Sequence, residues 1–165
     1  MSMAAQIVLV LAALLCSLVA GFLFAFAVVI MPGIRNLGDR EFLRAFQAID
    51  GVIQRGQPLF GFVWLGSVLT LVAGLALGAG PASGLERLFL AIAGGVYLLG
   101  VQLPTVLVNI PLNNEVQALN LEEADAASCH SARERFEARW NRWNAIRTAL
   151  AVLASGMLVV FLTRF

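Results

Sequence analysis

The side chains in this 165-residue chain that could do chemistry fall into three groups. Phe136, Trp140, Trp143, Asn144 and Arg147 recur at intervals of three and four, which places them on one helical face. Asn109 and Asn113 stand four apart, and Gln102 lies seven before Asn109, near the same face. Gln47 and Asp50 form the third group. Asn109, Asn113, Asn144 and Arg147 fall at one membrane depth if their helices are neighbours. A guanidinium and three carboxamides converging with two indoles could bind a flat, oxygen-bearing molecule. They could equally satisfy one another as a structural latch, because buried amides are costly without partners.

Other chemistries lack their residues. The single histidine, His130, sits beside Cys129 in a polar stretch, and Cys16 lies far away in an apolar run, so no pair has metal-ligand spacing. Adjacent side chains diverge, which disfavours a Cys129–His130 dyad. The two cysteines do not suggest a disulfide. No glycine-rich phosphate loop follows a strand pattern, and a Ser-His-Asp set would need a second, buried histidine. Nucleic-acid binding is disfavoured because the arginines interleave with acids and the net charge is only +1. No metal and no cofactor are expected.

The elements that must position these groups follow from composition. The chain is 60% apolar and 13% charged, against about 25% charged in soluble domains. Its mean hydropathy is +0.86. No charged residue precedes Arg35, and none lies between Arg55 and Glu86, Arg87 and Glu115, or Arg147 and Arg164. About 20 apolar residues cross a hydrocarbon core as a helix. Four spans are read, near residues 5–31, 59–78, 88–108 and 144–165, as one domain over 1–165. The runs lack the alternation of a membrane barrel. The first has no basic start and is too long for a cleaved leader, so it is expected to remain. The fold class is therefore an all-α, four-transmembrane-helix bundle with short amphipathic helices in the two long loops, and the lipid bilayer is its principal partner. Small residues repeat every four positions, as in Ala13-Ser17-Gly21-Ala25, Gly66-Thr70-Gly74-Gly78 and Ala91-Gly95. Such rows pack helices closely, within the bundle or in a homodimer.

All 11 basic residues are arginine, and nine of them lie in the first and third loops or at the start of the last span. The positive-inside rule then puts both long loops in the cytoplasm, as in a multi-pass protein of a bacterial inner membrane. In loop one, Phe42, Phe46, Ile49 and Ile53 have helical spacing, with Arg40, Arg44, Gln47 and Asp50 pointing elsewhere. This predicts a short amphipathic helix at the membrane surface or capping the bundle. Pro32-Gly33 is expected to break the first span and Gln57-Pro58 to open the second. Pro111 should break the third, with Asn109 capping a new helix. Residues 121–131 read as a connecting helix or turn, and 133–147 as one helix running into the last span. Only 18 residues follow Arg147, about 27 Å of helix, so the guanidinium must sit at or inside the edge of the hydrocarbon and face the bundle interior.

Four strings carry a resemblance: Phe26-Ala27-Val28-Val29-Ile30-Met31-Pro32-Gly33, Phe46-Gln47-Ala48-Ile49-Asp50, Asn109-Ile110-Pro111-Leu112-Asn113-Asn114, and the run from Phe136 to Thr148 with its W-x-R-W-N-x-x-R core. Together they resemble the anthrone oxygenase-like family of small four-helix membrane proteins, over nearly the whole chain. Asp50 departs from that pattern, which prefers Asn there. The resemblance implies cofactor-independent oxidation of an anthrone to an anthraquinone by molecular oxygen. In that setting Trp140 and Trp143 would form a ring platform and Arg147 would stabilise the enolate. Asn109, Asn113, Asn144 and Gln47 would orient oxygens, and Asp50 would be the base. The alternative is a non-catalytic accessory or lipid-binding subunit that acts through helix packing. A transporter is disfavoured because no inverted repeat is evident.

Overall fold

Five helices carry the chain in a computed structural model that describes residues 2–79 and 84–164. They are α1 (Met3–Ile34), α2 (Asp39–Gln54), α3 (Pro58–Ala79), α4 (Gly84–Gln117) and α5 (Ala126–Arg164). No strand occurs among the described residues. Helices α1, α3, α4 and α5 are long and apolar enough to cross a membrane, so the expected all-helical, four-span fold holds. Position 165, the end of the fourth expected span, lies outside the described residues.

The expected breaks at Pro32 and Pro111 do not occur. Both helices run on, through π-helical segments at Phe26–Ile30 in α1 and at Leu98–Gln102 and Thr105–Asn109 in α4. Each segment ends two residues before a proline, at Pro32, Pro104 and Pro111. A proline at position i cannot bond the carbonyl at i−4, and its ring crowds that carbonyl. The three carbonyls concerned belong to Val28, Gly100 and Leu107, each inside a π segment. The wider turn absorbs the missing donor without ending the helix. Asn109 consequently caps nothing, and no side-chain cap opens the turn after it.

The short connections follow local rules. Gly56, at φ +79°, makes the left-handed turn between α2 and α3, a conformation that other residues adopt at a cost. Gln57 then caps α3 through Oε1, which accepts from the Phe60 N–H at 2.7 Å. Asp125 opens α5 by accepting from the Ser128 N–H at 2.7 Å.

Packing divides into two cores. One lies along the spans and joins Leu9, Cys16, Val19, Leu71, Leu90, Tyr97 and Leu158. The other lies under α2 and joins Phe42, Leu43, Phe46, Leu112, Val116, Cys129 and Phe136. Helix α5 has 39 residues, about 58 Å, which is nearly twice the hydrocarbon thickness, so its first half builds the second core. The amphipathic loop helix therefore caps the bundle. It is fastened by Arg133, which reaches Asp39, Glu137, the Leu37 carbonyl and the Arg35 carbonyl, and lies 4.3 Å over the Phe42 ring.

The small-residue rows divide too. A Cβ at Gly66, Gly74 or Gly78 would meet Leu15, Leu9 or Leu90, so that row packs α3 inside the bundle. Ser17 and Gly21 face outward instead.

Candidate functional site

The two cores meet at a cavity of about 300 Å³. A cavity of about 150 Å³ takes a benzene ring, so this one has room for a fused-ring ligand. Its back wall comes from α5, where Trp140, Asn144 and Arg147 are all buried. Arg147 Nη1 donates to Thr105 Oγ1 at 2.7 Å, and Nη2 donates to Asn144 Oδ1 at 3.0 Å. Asn144 is itself held by donating Nδ2–H to the Leu23 carbonyl at 3.1 Å. Among the described residues, Arg147 Nε is buried without a partner, and no carboxylate lies within ion-pair distance of the guanidinium.

Asp50, only 3% exposed, stands on another wall of the same cavity. Its Oδ1 accepts from Asn113 Nδ2 at 2.7 Å, and its Oδ2 accepts from Gln117 Nε2 at 3.0 Å and Gln54 Nε2 at 3.3 Å. These donors cannot easily turn round. Asn113 Oδ1 accepts from Trp140 Nε1, a group that can only donate, at 2.7 Å. Gln117 Nε2 also donates to the Gln47 carbonyl at 3.1 Å. The ring around position 50 is built of donors and suits a carboxylate. A carboxylate has about four acceptor sites, and three are taken.

A buried guanidinium and a buried carboxyl group thus line one cavity without pairing. Between them Asn109 Oδ1 is a buried acceptor with no partner among the described residues, while its Nδ2 reaches the Trp140 carbonyl only at 3.5 Å. Ring faces complete the lining. Trp140 lies 5.5 Å from Phe26 and 5.6 Å from Phe46, and Phe60 stacks on Trp64 at 5.4 Å. The arrangement can hold a flat molecule, donate to an oxygen anion at one end and accept a proton at the other.

The structure brings together six of the eight residues singled out by sequence: Asp50, Asn109, Asn113, Trp140, Asn144 and Arg147. Two lie outside the lining. Gln47 turns aside and donates to the Val116 and Leu119 carbonyls, tying α2 to the end of α4. Trp143 is half-buried and lies about 60° round the helix from Trp140, on its flank. Its expected place in the platform is taken by Phe26, Phe46, Phe60 and Trp64.

Four further expectations need correction. Asp50 points inward with Phe46, one turn away, rather than outward. Asn109, Asn113, Asn144 and Arg147 do not share one depth but form a ladder. Asn113 meets Trp140, Asn109 lies near the Trp140 carbonyl, and Arg147 meets Thr105 one turn deeper. Gln102 is not in the lining, and its Nε2 is buried elsewhere without a partner. Cys129 and His130 lie on a helix, not a loop, with Cys129 in the second core and His130 turned out to Asp39 at 2.9 Å. Sequence reasoning missed Thr105, although it stands four residues before Asn109 and could have been counted on the same face.

Comparison with known proteins adds one finding. A family model described as anthrone oxygenase matches residues 50–157, about two thirds of the chain, from Asp50 through every cavity residue of α4 and α5. No curated protein and no solved structure matches the chain significantly.

Proposed function

The chain belongs to the anthrone oxygenase family, and from that premise we propose that the cavity binds a planar phenolic or anthrone-like molecule and oxidises it with molecular oxygen. One observation carries the reading. Asp50 and Arg147 are buried on one cavity and unpaired with each other. Leaving two opposite charges apart in a low-dielectric site is costly, and a substrate that loses a proton to one and places its anion on the other offsets that cost.

The steps balance. Asp50 takes a proton from the ring CH2 para to the carbonyl across the central ring. The electron pair delocalises onto the carbonyl oxygen, where Arg147 Nε–H stabilises the enolate. The enolate reduces O2 and recombines with it as a hydroperoxide. The peroxide takes the first proton back from Asp50, which then removes the second ring proton as the O–O bond breaks. One oxygen stays as the new carbonyl, and the other leaves as hydroxide that this second proton converts to water. One O2 accepts the four electrons given up by the CH2 group, so the substrate's own enolate supplies the reductant.

The experiment is oxygen uptake by purified protein in nanodiscs supplied with an anthrone, with quinone counted in parallel. One quinone per O2 is expected. Asp50→Asn, checked for an intact melt, should lower turnover about 10²- to 10⁴-fold, the range for a lost general base. Turnover by that variant within threefold of the parent would remove Asp50 from the reaction. The arginine bias further supports placing the α2 end of the molecule in the cytoplasm.

A further inference from the structure

The cavity's deep walls are buried, but its rim is accessible. The rim is formed by Ile53 and Gln54 at the end of α2, Phe60 and Trp64 at the start of α3, and Ile110 of α4, which is 43% exposed. Four of these five are apolar. They flank a gap between helices. Helix α3 packs on α1 and on the Gly84–Tyr97 part of α4, whereas the Thr105–Asn109 segment packs on α5 and on its own helix. Helix α3 is also the least buried of the four spans. The surface on either side of the gap is apolar, with Phe62, Leu65, Val106 and Leu107 each more than half exposed.

Beyond Ile110 the rim is bridged by Gln54 Nε2, which donates to Asn114 Oδ1 at 3.1 Å, and the second core closes the cavity on that side. A smaller apolar hollow continues outward between α1 and α3. It is lined by Leu18, Leu59 and Val63 and shares Phe22, Phe60 and Trp64 with the cavity.

We propose that the cavity is fed sideways from the bilayer and that its ligand is a lipid-partitioned amphiphile. The oxygen-bearing ring passes between Phe60, Trp64 and Ile110 to the polar seat. An apolar substituent trails into the hollow between α1 and α3, where chain carbons replace lipid contacts at little cost. The inference takes from the proposed function only the location of the polar seat. It does not depend on oxidation.

The test uses the full chain in phosphatidylcholine vesicles, without oxygen, and two hydroxyanthraquinones, one bearing a decyl chain and one a sulfonate. Trp64 and Trp140 line the cavity, so tryptophan quenching reports occupancy. The decyl compound should quench with a half-saturation set by its ratio to lipid, so that threefold more lipid raises the total needed about threefold. The sulfonate should need at least 30-fold more. Ile110→Arg, which puts a charge on the rim, should weaken the decyl compound at least tenfold. The two-compound comparison needs no variant and stands if that one fails to fold. Equal quenching by both compounds, or a half-saturation indifferent to lipid, would overturn the proposal. In air, oxidation of a sulfonated anthrone as fast as of its decyl counterpart would refute the sideways route while leaving the reaction intact. Binding without turnover would do the opposite.

Discussion

Replacing Arg147 by methionine separates a working residue from a structural latch, because the two roles predict different energies. Methionine fills most of the arginine volume, so no large void opens. An arginine inside a span costs about 2.5–3.5 kcal/mol on insertion scales, and the substitution returns that. What it removes is two hydrogen bonds, to Thr105 Oγ1 and Asn144 Oδ1. Thr105 keeps the bond it donates to the Val101 carbonyl at 2.7 Å, so only Asn144 Oδ1 is left without a donor. An orphaned buried acceptor costs about 1–3 kcal/mol. The gain and the loss nearly cancel, and stability should stay within about 2 kcal/mol of the parent. Loss of an oxyanion donor should meanwhile lower turnover about 10²- to 10³-fold. The assay pairs a denaturation curve in detergent with oxygen uptake on an anthrone. Turnover within threefold of the parent would refute the assignment of Arg147 to the enolate. A loss of about 4 kcal/mol or more would show that the guanidinium holds the helices together, as the partner of a buried pair does.

Two other perturbations address the frame around the site. Pro111→Ala restores an N–H that can bond the Leu107 carbonyl, so the Thr105–Asn109 segment should return to α geometry. Thr105 and Asn109 would then turn by about 100° relative to α5, and quenching by the decyl ligand should weaken about tenfold or more with the melt unchanged or raised; unchanged quenching would break the link between proline, π turn and site. At the cap, the hydrogen bond from His130, with help from Arg133, holds the Asp39 carboxyl below its usual 3.8. A depressed acid stabilises the fold above its unfolded value and loses that contribution as pH falls through the folded one. The parent's melting temperature should therefore fall more steeply than that of Asp39→Asn between about pH 5 and pH 3, and parallel curves would show that the contact contributes nothing.

The spans were legible because charge gaps and length decide them almost alone. The amphipathic α2 was legible from the spacing of Phe42, Phe46, Ile49 and Ile53. The α5 face was legible because that helix keeps a 3.6-residue period from Phe136 to Arg147. Helix α4 resisted for a definite reason. Two π segments each widen a turn, so spacing counted on an ideal helix put Gln102 with Asn109; Thr105, although at ideal spacing from Asn109, read as one more hydroxyl bonded to its own helix. Asp50 was misread for another reason. A charged side chain on an amphipathic helix ordinarily faces water, and only the facing amides of Asn113 and Gln117, from a distant part of the chain, draw it inward. The aromatic walls from α1 and α3 were illegible, since Phe22, Phe26, Phe60 and Trp64 read as ordinary span residues until the helices are placed side by side.

The cavity's polar partners also arrive at different times. Synthesis runs from the N-terminus at about 5–20 residues per second, so residue 164 follows Asn109 by roughly 3–11 s. During that interval Asn113 has no indole to bond, Asn109 has no neighbouring α5 carbonyl, and the Leu23 carbonyl lacks the amide of Asn144. The first three spans are apolar enough to insert by themselves, but they then hold unsatisfied amides facing a vacant groove. Placement of α5 beside them supplies all three partners. A chain truncated before Trp140 should therefore reach the membrane and still present the amide-lined surface that membrane quality control removes.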